Sequence, residues 1–215
     1  MPRICVVATG RTPGELMECA HRALRDSPLV ELRLDWVPNP AEAIALVPRL
    51  LASASRSGRG RTVFLQATCR RTPNGGRFGG SVARQLSLLR RAAEAGCRLL
   101  DLEIESAESA GRAAVAALRQ DAILILSFHD FHATPPLGPV ARRLRRFAAD
   151  YYKAVPTAVR LSDNCRILEF LSSRNQQTSE RGKWIAFAMG EPGIPSRVLS
   201  LSRGGALVYA APSER

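Results

Sequence analysis

Val30-Glu31-Leu32-Arg33-Leu34-Asp35 alternates apolar and charged side chains without a break. A period of two is that of a β-strand, so Val30, Leu32 and Leu34 share one face and Glu31, Arg33 and Asp35 the other. Further short apolar runs lie at about 3–8, 63–69, 99–104, 122–128, 151–155, 184–189 and 206–210. Amphipathic stretches at helical period separate them, near 13–25, 40–54, 81–95, 106–119, 138–149, 162–173 and 195–202. Turn chemistry falls at the expected boundaries, in Gly58-Arg59-Gly60, Asn74-Gly75-Gly76, Thr134-Pro135-Pro136 and Gly190-Glu191-Pro192-Gly193. Strand–helix alternation from end to end predicts a parallel α/β sheet, and eight repeats of it a (β/α)₈ TIM barrel over residues 1–215. A doubly wound open sheet is the competing architecture, because strand order is not written in a sequence. The chain stops just past the eighth strand with the eighth helix missing, short of the roughly 250 residues usual for such barrels. It therefore reads as a barrel truncated or fused at that end.

The strand pattern then brings ionisable groups to matching positions. The third strand groups Gln66, Thr68 and Arg70, and the fourth Asp101, Glu103 and Glu105. His129 ends the fifth, on the parity of Ile125 and Ser127, and Lys153 lies inside the sixth. Barrel lumens are usually filled with branched apolar residues, and buried charge is costly unless paired. One such residue is as readily a solvated strand end; five successive strands of them point to a working site. The chain has only two lysines. Lys183 precedes the seventh strand, at the solvated N-terminal rim, which leaves Lys153 as the candidate to attack a ketone. His129 suits acid–base work near neutral pH. His132 reads as a loop residue and His21 as a surface or packing residue. No third neutral ligand accompanies the histidines, so the site is read as holding no metal.

Composition narrows the classes. A net charge of +12 raises nucleic acid as a partner, but the basic residues are dispersed arginines. Their densest group, Arg142-Arg143-Leu144-Arg145-Arg146, reads as a solvated helix face, and no basic-and-aromatic patch accompanies it. No run reaches the roughly 18 apolar residues of a membrane helix. Five scattered cysteines without a Cys-x-x-Cys pair read as reduced thiols in a cytoplasm, and the start leaves no room for a signal peptide.

In Gly10-Arg11-Thr12, Glu31-Leu32-Arg33-Leu34-Asp35, Thr68-Cys69-Arg70, Asp101-Leu102-Glu103, His129-Asp130-Phe131-His132, Lys153, Met189-Gly190 and Ser196-Arg197, the chain resembles the type I 3-dehydroquinate dehydratases. These are Schiff-base lyases of the shikimate pathway. The resemblance spans the chain and rests on the order and spacing of fragments that are individually weak. It implies a (β/α)₈ barrel without metal or organic cofactor, often a homodimer. In some members the barrel is fused to shikimate dehydrogenase. Lys153 would form the imine, His129 would carry protons, Glu31, Arg33 and Arg70 would hold ring hydroxyls and position the imine, and Arg197 would grip the substrate carboxylate. Three departures accompany it. The family's glutamate before the Gly-Gly pair is Asn74 here, which implies slower turnover. The family's Ser-Ala-Pro-Gly-Gln lid motif would begin beyond Arg215, and the eighth helix is absent. Two other readings stay open: a non-catalytic or weakened barrel domain of a longer polypeptide, and another Schiff-base aldolase. Against the aldolase, no Gly-rich phosphate cradle follows the seventh strand.

Overall fold

The computed structural model describes residues 1–56 and 62–212; the turn expected at Gly58-Arg59-Gly60 lies outside them. Eight strands follow in order: β1 (Ile4–Ala8), β2 (Leu29–Arg33), β3 (Phe64–Thr68), β4 (Leu99–Glu103), β5 (Ile123–His129), β6 (Tyr151–Val155), β7 (Trp184–Ala186) and β8 (Val208–Ala210). Between them run α1 (Pro13–Asp26), α2 (Pro40–Arg56), α3 (Val82–Glu94), α4 (Ile104–Ala110), α5 (Arg112–Asp121), α6 (Leu137–Leu144), α7 (Asp163–Gln176) and α8 (Ile194–Leu199). The sheet order is β7-β6-β5-β4-β3-β2-β1-β8. Sequential neighbours with β8 beside β1 are the strand order of a (β/α)₈ barrel, and the doubly wound alternative is set aside. By internal packing the residues group into two compact units, Met1–Leu124 with the segment from Tyr209, and Ile125–Val208.

In the first unit β1, β2, β3 and β4 pair in parallel, with Val7 opposite Glu31, Glu31 opposite Gln66, and Thr68 opposite Asp101. That register puts the polar residues of successive strands on one face, while Val30, Leu32, Leu65, Leu100 and Leu102 bury on the other. Helix α1 starts where Thr12 caps it, accepting from the Glu15 N–H at 3.1 Å, and Pro13 supplies a preset φ at the first position. Its buried Leu16, Cys19, Ala20 and Ala23 recur at helical spacing. Gly10 is obligatory there, because a Cβ would lie 2.3 Å from the Leu16 nitrogen. Ser81 caps α3 in the same way.

In the second unit β5, β6 and β7 pair in parallel, with Ser127 opposite Lys153 and Lys153 opposite Ile185. Ala206 N–H donates to Trp184 O at 2.7 Å, tying the approach to β8 onto the start of β7.

Several boundaries differ from the sequence expectation. The second strand stops at Arg33, and Leu34–Trp36 turns into a 3₁₀ helix. Asp35 therefore leaves the strand alternation and folds back onto Arg33. The fourth strand ends at Glu103, so Glu105 sits in the first turn of α4 rather than on a strand face. The helix expected near 106–119 is two helices, split at Gly111, whose φ of +84° suits only glycine well. The seventh strand is three residues, and Gly190 and Pro192 then turn the chain into α8.

Candidate active site

The first unit carries Glu31, Arg33 and Arg70. Glu31 lies mid-strand in β2 and is buried. Thr68 Oγ1 donates to its Oε1 at 2.5 Å, and Gln66 Nε2 to the same oxygen at 3.1 Å. Gln66 in turn accepts the Tyr209 hydroxyl at 2.8 Å. Arg33, at the end of β2, makes a two-pronged bond to Asp35, Nε to Oδ1 at 3.0 Å and Nη2 to Oδ2 at 2.9 Å. Burial opposes its charge, but the Asp35 hydrogen bond and the carboxylates of Glu31, Asp35 and Asp101 outweigh burial and raise its pKa. Arg70, two residues past the end of β3, is buried and donates to Asp101 Oδ1 at 2.8 Å.

The loop that follows Arg70 is stitched to its surroundings. The Phe78 N–H returns to Arg70 O, and Arg77 N–H donates to Asp35 Oδ2 at 3.2 Å. The Arg77 guanidinium lies 3.6 Å from the centre of the Trp36 ring. Gly76 packs against the Arg70 carbonyl so closely that a Cβ would come within 2.0 Å of it. Glu103 accepts from Arg71 N–H at 2.8 Å and from Gln85 Nε2 at 2.5 Å; burial pushes its pKa up despite Arg70 nearby. Asn74 donates to Glu105 Oε2 at 2.9 Å. The residue that stands where the family has a glutamate is thus tied to a carboxylate from α4.

The second unit carries His129, Lys153 and Arg197. Lys153 is 4% exposed, whereas Lys183 is exposed as expected. His129 is two residues beyond Ser127, the register partner of Lys153, so both side chains leave the same sheet face one rung apart. Standard strand spacing puts their Cα atoms roughly 8 Å apart, within reach of one small molecule. The rings of His129 and Phe131 lie nearly parallel at 6.1 Å, and Asp130 folds the following turn by accepting from the His132 and Ala133 N–H groups. His132 and His21 are exposed, the latter bonded to Ser53 Oγ at 2.7 Å. Arg197 lies on α8 rather than on a strand. Its guanidinium sits 4.5 Å above the centre of the Phe187 ring, and burial lowers its pKa. Asn164 holds α8 in place, donating to Pro192 O and accepting from Ser196 N–H, while Ser196 Oγ accepts from Ala188 N–H.

Alternation of faces places Glu31, Arg33, His129 and Lys153 on strands, as the structure has them, and Arg70 two residues past one. It does not mark Tyr209 as part of the Glu31 network, because a lone tyrosine on a short last strand reads as core. Asp35 as the partner of Arg33 is equally hidden, since strand parity alone does not predict a 3₁₀ turn. The arginine-rich segment is mostly exposed, as expected of a solvated face, although α6 ends at Leu144 and Arg145 pairs with Glu180 at 2.7 Å. No helix among the described residues is long and apolar enough to cross a membrane. Cys5, Cys19, Cys69, Cys97 and Cys165 are all free thiols.

Comparison with known proteins covers the same ground. The sequence pattern of the type I 3-dehydroquinase family matches residues 4–215. A 3-dehydroquinate dehydratase of Dehalococcoides mccartyi is 33% identical over 218 residues, 98% of this chain and 86% of the relative. A type I 3-dehydroquinate dehydratase from Clostridium difficile with covalently modified comenic acid superposes with a TM-score of 0.83 at 24% identity, over 100% of this chain and 85% of that one. A dehydroquinate dehydratase and shikimate dehydrogenase from S. pombe gives a TM-score of 0.70 at 22% identity, over 99% of this chain and 41% of that one. The fold is the (β/α)₈ barrel, and the chain belongs to the type I 3-dehydroquinase family.

Proposed function

We propose that the chain is a hydro-lyase that converts 3-dehydroquinate to 3-dehydroshikimate and water through an imine on Lys153. One observation carries this reading: a lysine, rare in this chain, is buried mid-strand in β6 on the same face as His129 and one rung away. Membership of the type I family supports the substrate.

The Lys153 amine adds to the C3 carbonyl carbon, and loss of water leaves an iminium. The iminium accepts the electron pair of the C2–H bond as His129 takes the proton. The resulting enamine expels the C1 hydroxyl, protonated by the same imidazole, and the C1–C2 double bond forms. Water then adds to the iminium carbon and releases the product and the free amine. His129 thus serves as base and then acid, as one imidazole near neutrality can.

Glu31, Arg33 and Arg70 would take the ring hydroxyls and position the imine. Asp35 fixes the guanidinium plane of Arg33 before substrate arrives, and Asp101 anchors Arg70 through Nη2. Arg197 would hold the carboxylate, the task for which a guanidinium fork is shaped. The Asn74 amide is neither acid nor base near neutral pH, so turnover is expected to be slower than in a relative carrying glutamate there. A homodimer is compatible with this reading, as is fusion to a shikimate dehydrogenase domain, the pairing found in the S. pombe protein.

The test is direct. Added 3-dehydroquinate should give the ultraviolet absorbance of a conjugated enoate. No product at any protein concentration would favour a non-catalytic barrel.

A further inference from the structure

The proposed role of Glu31 rests on the dehydratase reading above; how Glu31 is held is a separate matter that the first unit makes explicit. Three strands besides its own converge on this carboxylate. Tyr209 comes from β8, Gln66 and Thr68 from β3, and Cys5 from β1. The Tyr209 hydroxyl is 2.8 Å from Gln66 Oε1, and Cys5 Sγ approaches the same oxygen at 4.0 Å. A carboxylate can only accept, so the Gln66 amide turns its nitrogen to Glu31 and its oxygen away, where the Tyr209 phenol donates to it. The amide nitrogen then spends one proton on Glu31 Oε1 at 3.1 Å and the other on Thr68 Oγ1 at 3.2 Å. Thr68, having accepted there, donates its own proton to Glu31 Oε1 at 2.5 Å. Every donor in the chain points toward one carboxylate oxygen. Among the described residues no hydrogen bond reaches the other oxygen, Oε2. Tyr209, Gln66, Thr68 and Glu31 are all at most 4% exposed, so water is not at hand to repair a broken link.

We propose that Tyr209 and Gln66 are positioning residues of the reaction: they lock Glu31 through Oε1 and so reserve Oε2 as the acceptor for a substrate hydroxyl. Without the phenol, Gln66 Oε1 keeps, among the described residues, the Cys5 thiol at 4.0 Å. The amide has then lost its anchor on the side away from Glu31, and its hold on Glu31 Oε1 loosens. Substrate binding weakens as Glu31 loses its fixed orientation.

The measurement is a double-mutant cycle on KM, with kcat read alongside and the melting temperature as a check on folding. Tyr209→Phe deletes one oxygen and keeps the ring that fills the core. In the native background it should raise KM about 3–10-fold, the worth of one buried hydrogen bond, with a smaller effect on kcat. In a Glu31→Gln background, where there is no carboxylate left to position, the same substitution should change KM by less than about twofold. Gln66→Met should reproduce the KM effect and the same loss of it beside Glu31→Gln. An equal change in both backgrounds, or a lowered melting temperature with KM unmoved, would mean that Tyr209 is only a packing residue and would overturn the proposal. Should Glu31→Gln itself leave KM unchanged in an active enzyme, Glu31 does not bind substrate, and the proposal falls together with that part of the functional reading.

Discussion

The two units carry different kinds of candidate residue. In the first, charged and polar side chains are tied to named polar partners: Arg33 to Asp35, Arg70 to Asp101, Glu31 to Thr68 and Gln66, Asn74 to Glu105. In the second, Lys153 and His129 are placed by strand register, and His129 and Arg197 lie against the rings of Phe131 and Phe187. The difference matches the two tasks the reaction sets. Groups that bind hydroxyls gain from a fixed geometry, since reorganisation during the reaction would cost rate. Groups that form a bond or pass a proton must change state within each turnover.

Variants of the two units should therefore fail in different ways. The largest effect is expected at His129. His129→Ala should lower kcat by about 10²–10⁴-fold, the usual worth of a positioned acid–base group, and leave the melting temperature within a few degrees. Borohydride should still trap ligand in this variant, because proton transfer is removed and docking is not. A His129→Ala protein that lost trapping as completely as turnover would break the division between the units.

Asp101→Ala should do the reverse. It leaves the buried Arg70 guanidinium without its 2.8 Å partner, a change that costs on the order of 3 kcal/mol of stability. Thermal or urea unfolding would register it, and KM should rise more than kcat falls. A kcat loss as large as that of His129→Ala with unchanged stability would contradict a binding and structural role for this pair.

How much of this is legible in the sequence depends on whether a residue obeys a period. Glu31, Gln66, Thr68 and Asp101 lie on regular strands, and alternation alone places each on the correct face. Position along the strand separates Lys153, inside β6, from Lys183, just before β7. Asp35 and Glu105 are misplaced by it because the chain leaves the strand one or two residues before them, and a strand end is set by tertiary packing as much as by local pattern. The Tyr209–Gln66 bond is invisible for another reason. It joins residues 143 apart in sequence, and nothing local to either marks the other.

A smaller effect concerns pH. Burial raises the pKa of Glu103 above the ordinary 4.5. The folded state then holds the proton more tightly than the unfolded chain, so this contribution to stability is fully present below 4.5 and is lost as pH rises through the folded value. Glu103→Gln should flatten the fall in melting temperature above pH 4.5. Its amide can still accept from the Arg71 N–H, which limits the structural cost. An unchanged pH profile would mean that Glu103 titrates normally.

The central claim is that Lys153 is the nucleophile, and chemical trapping tests it most directly. The protein is incubated with 3-dehydroquinate, reduced with borohydride, digested and mapped by mass spectrometry. The reduced adduct is expected on the peptide containing Tyr151-Tyr152-Lys153 and absent from Lys153→Met. An adduct on Lys183, or none while the enzyme turns over substrate, would contradict the account.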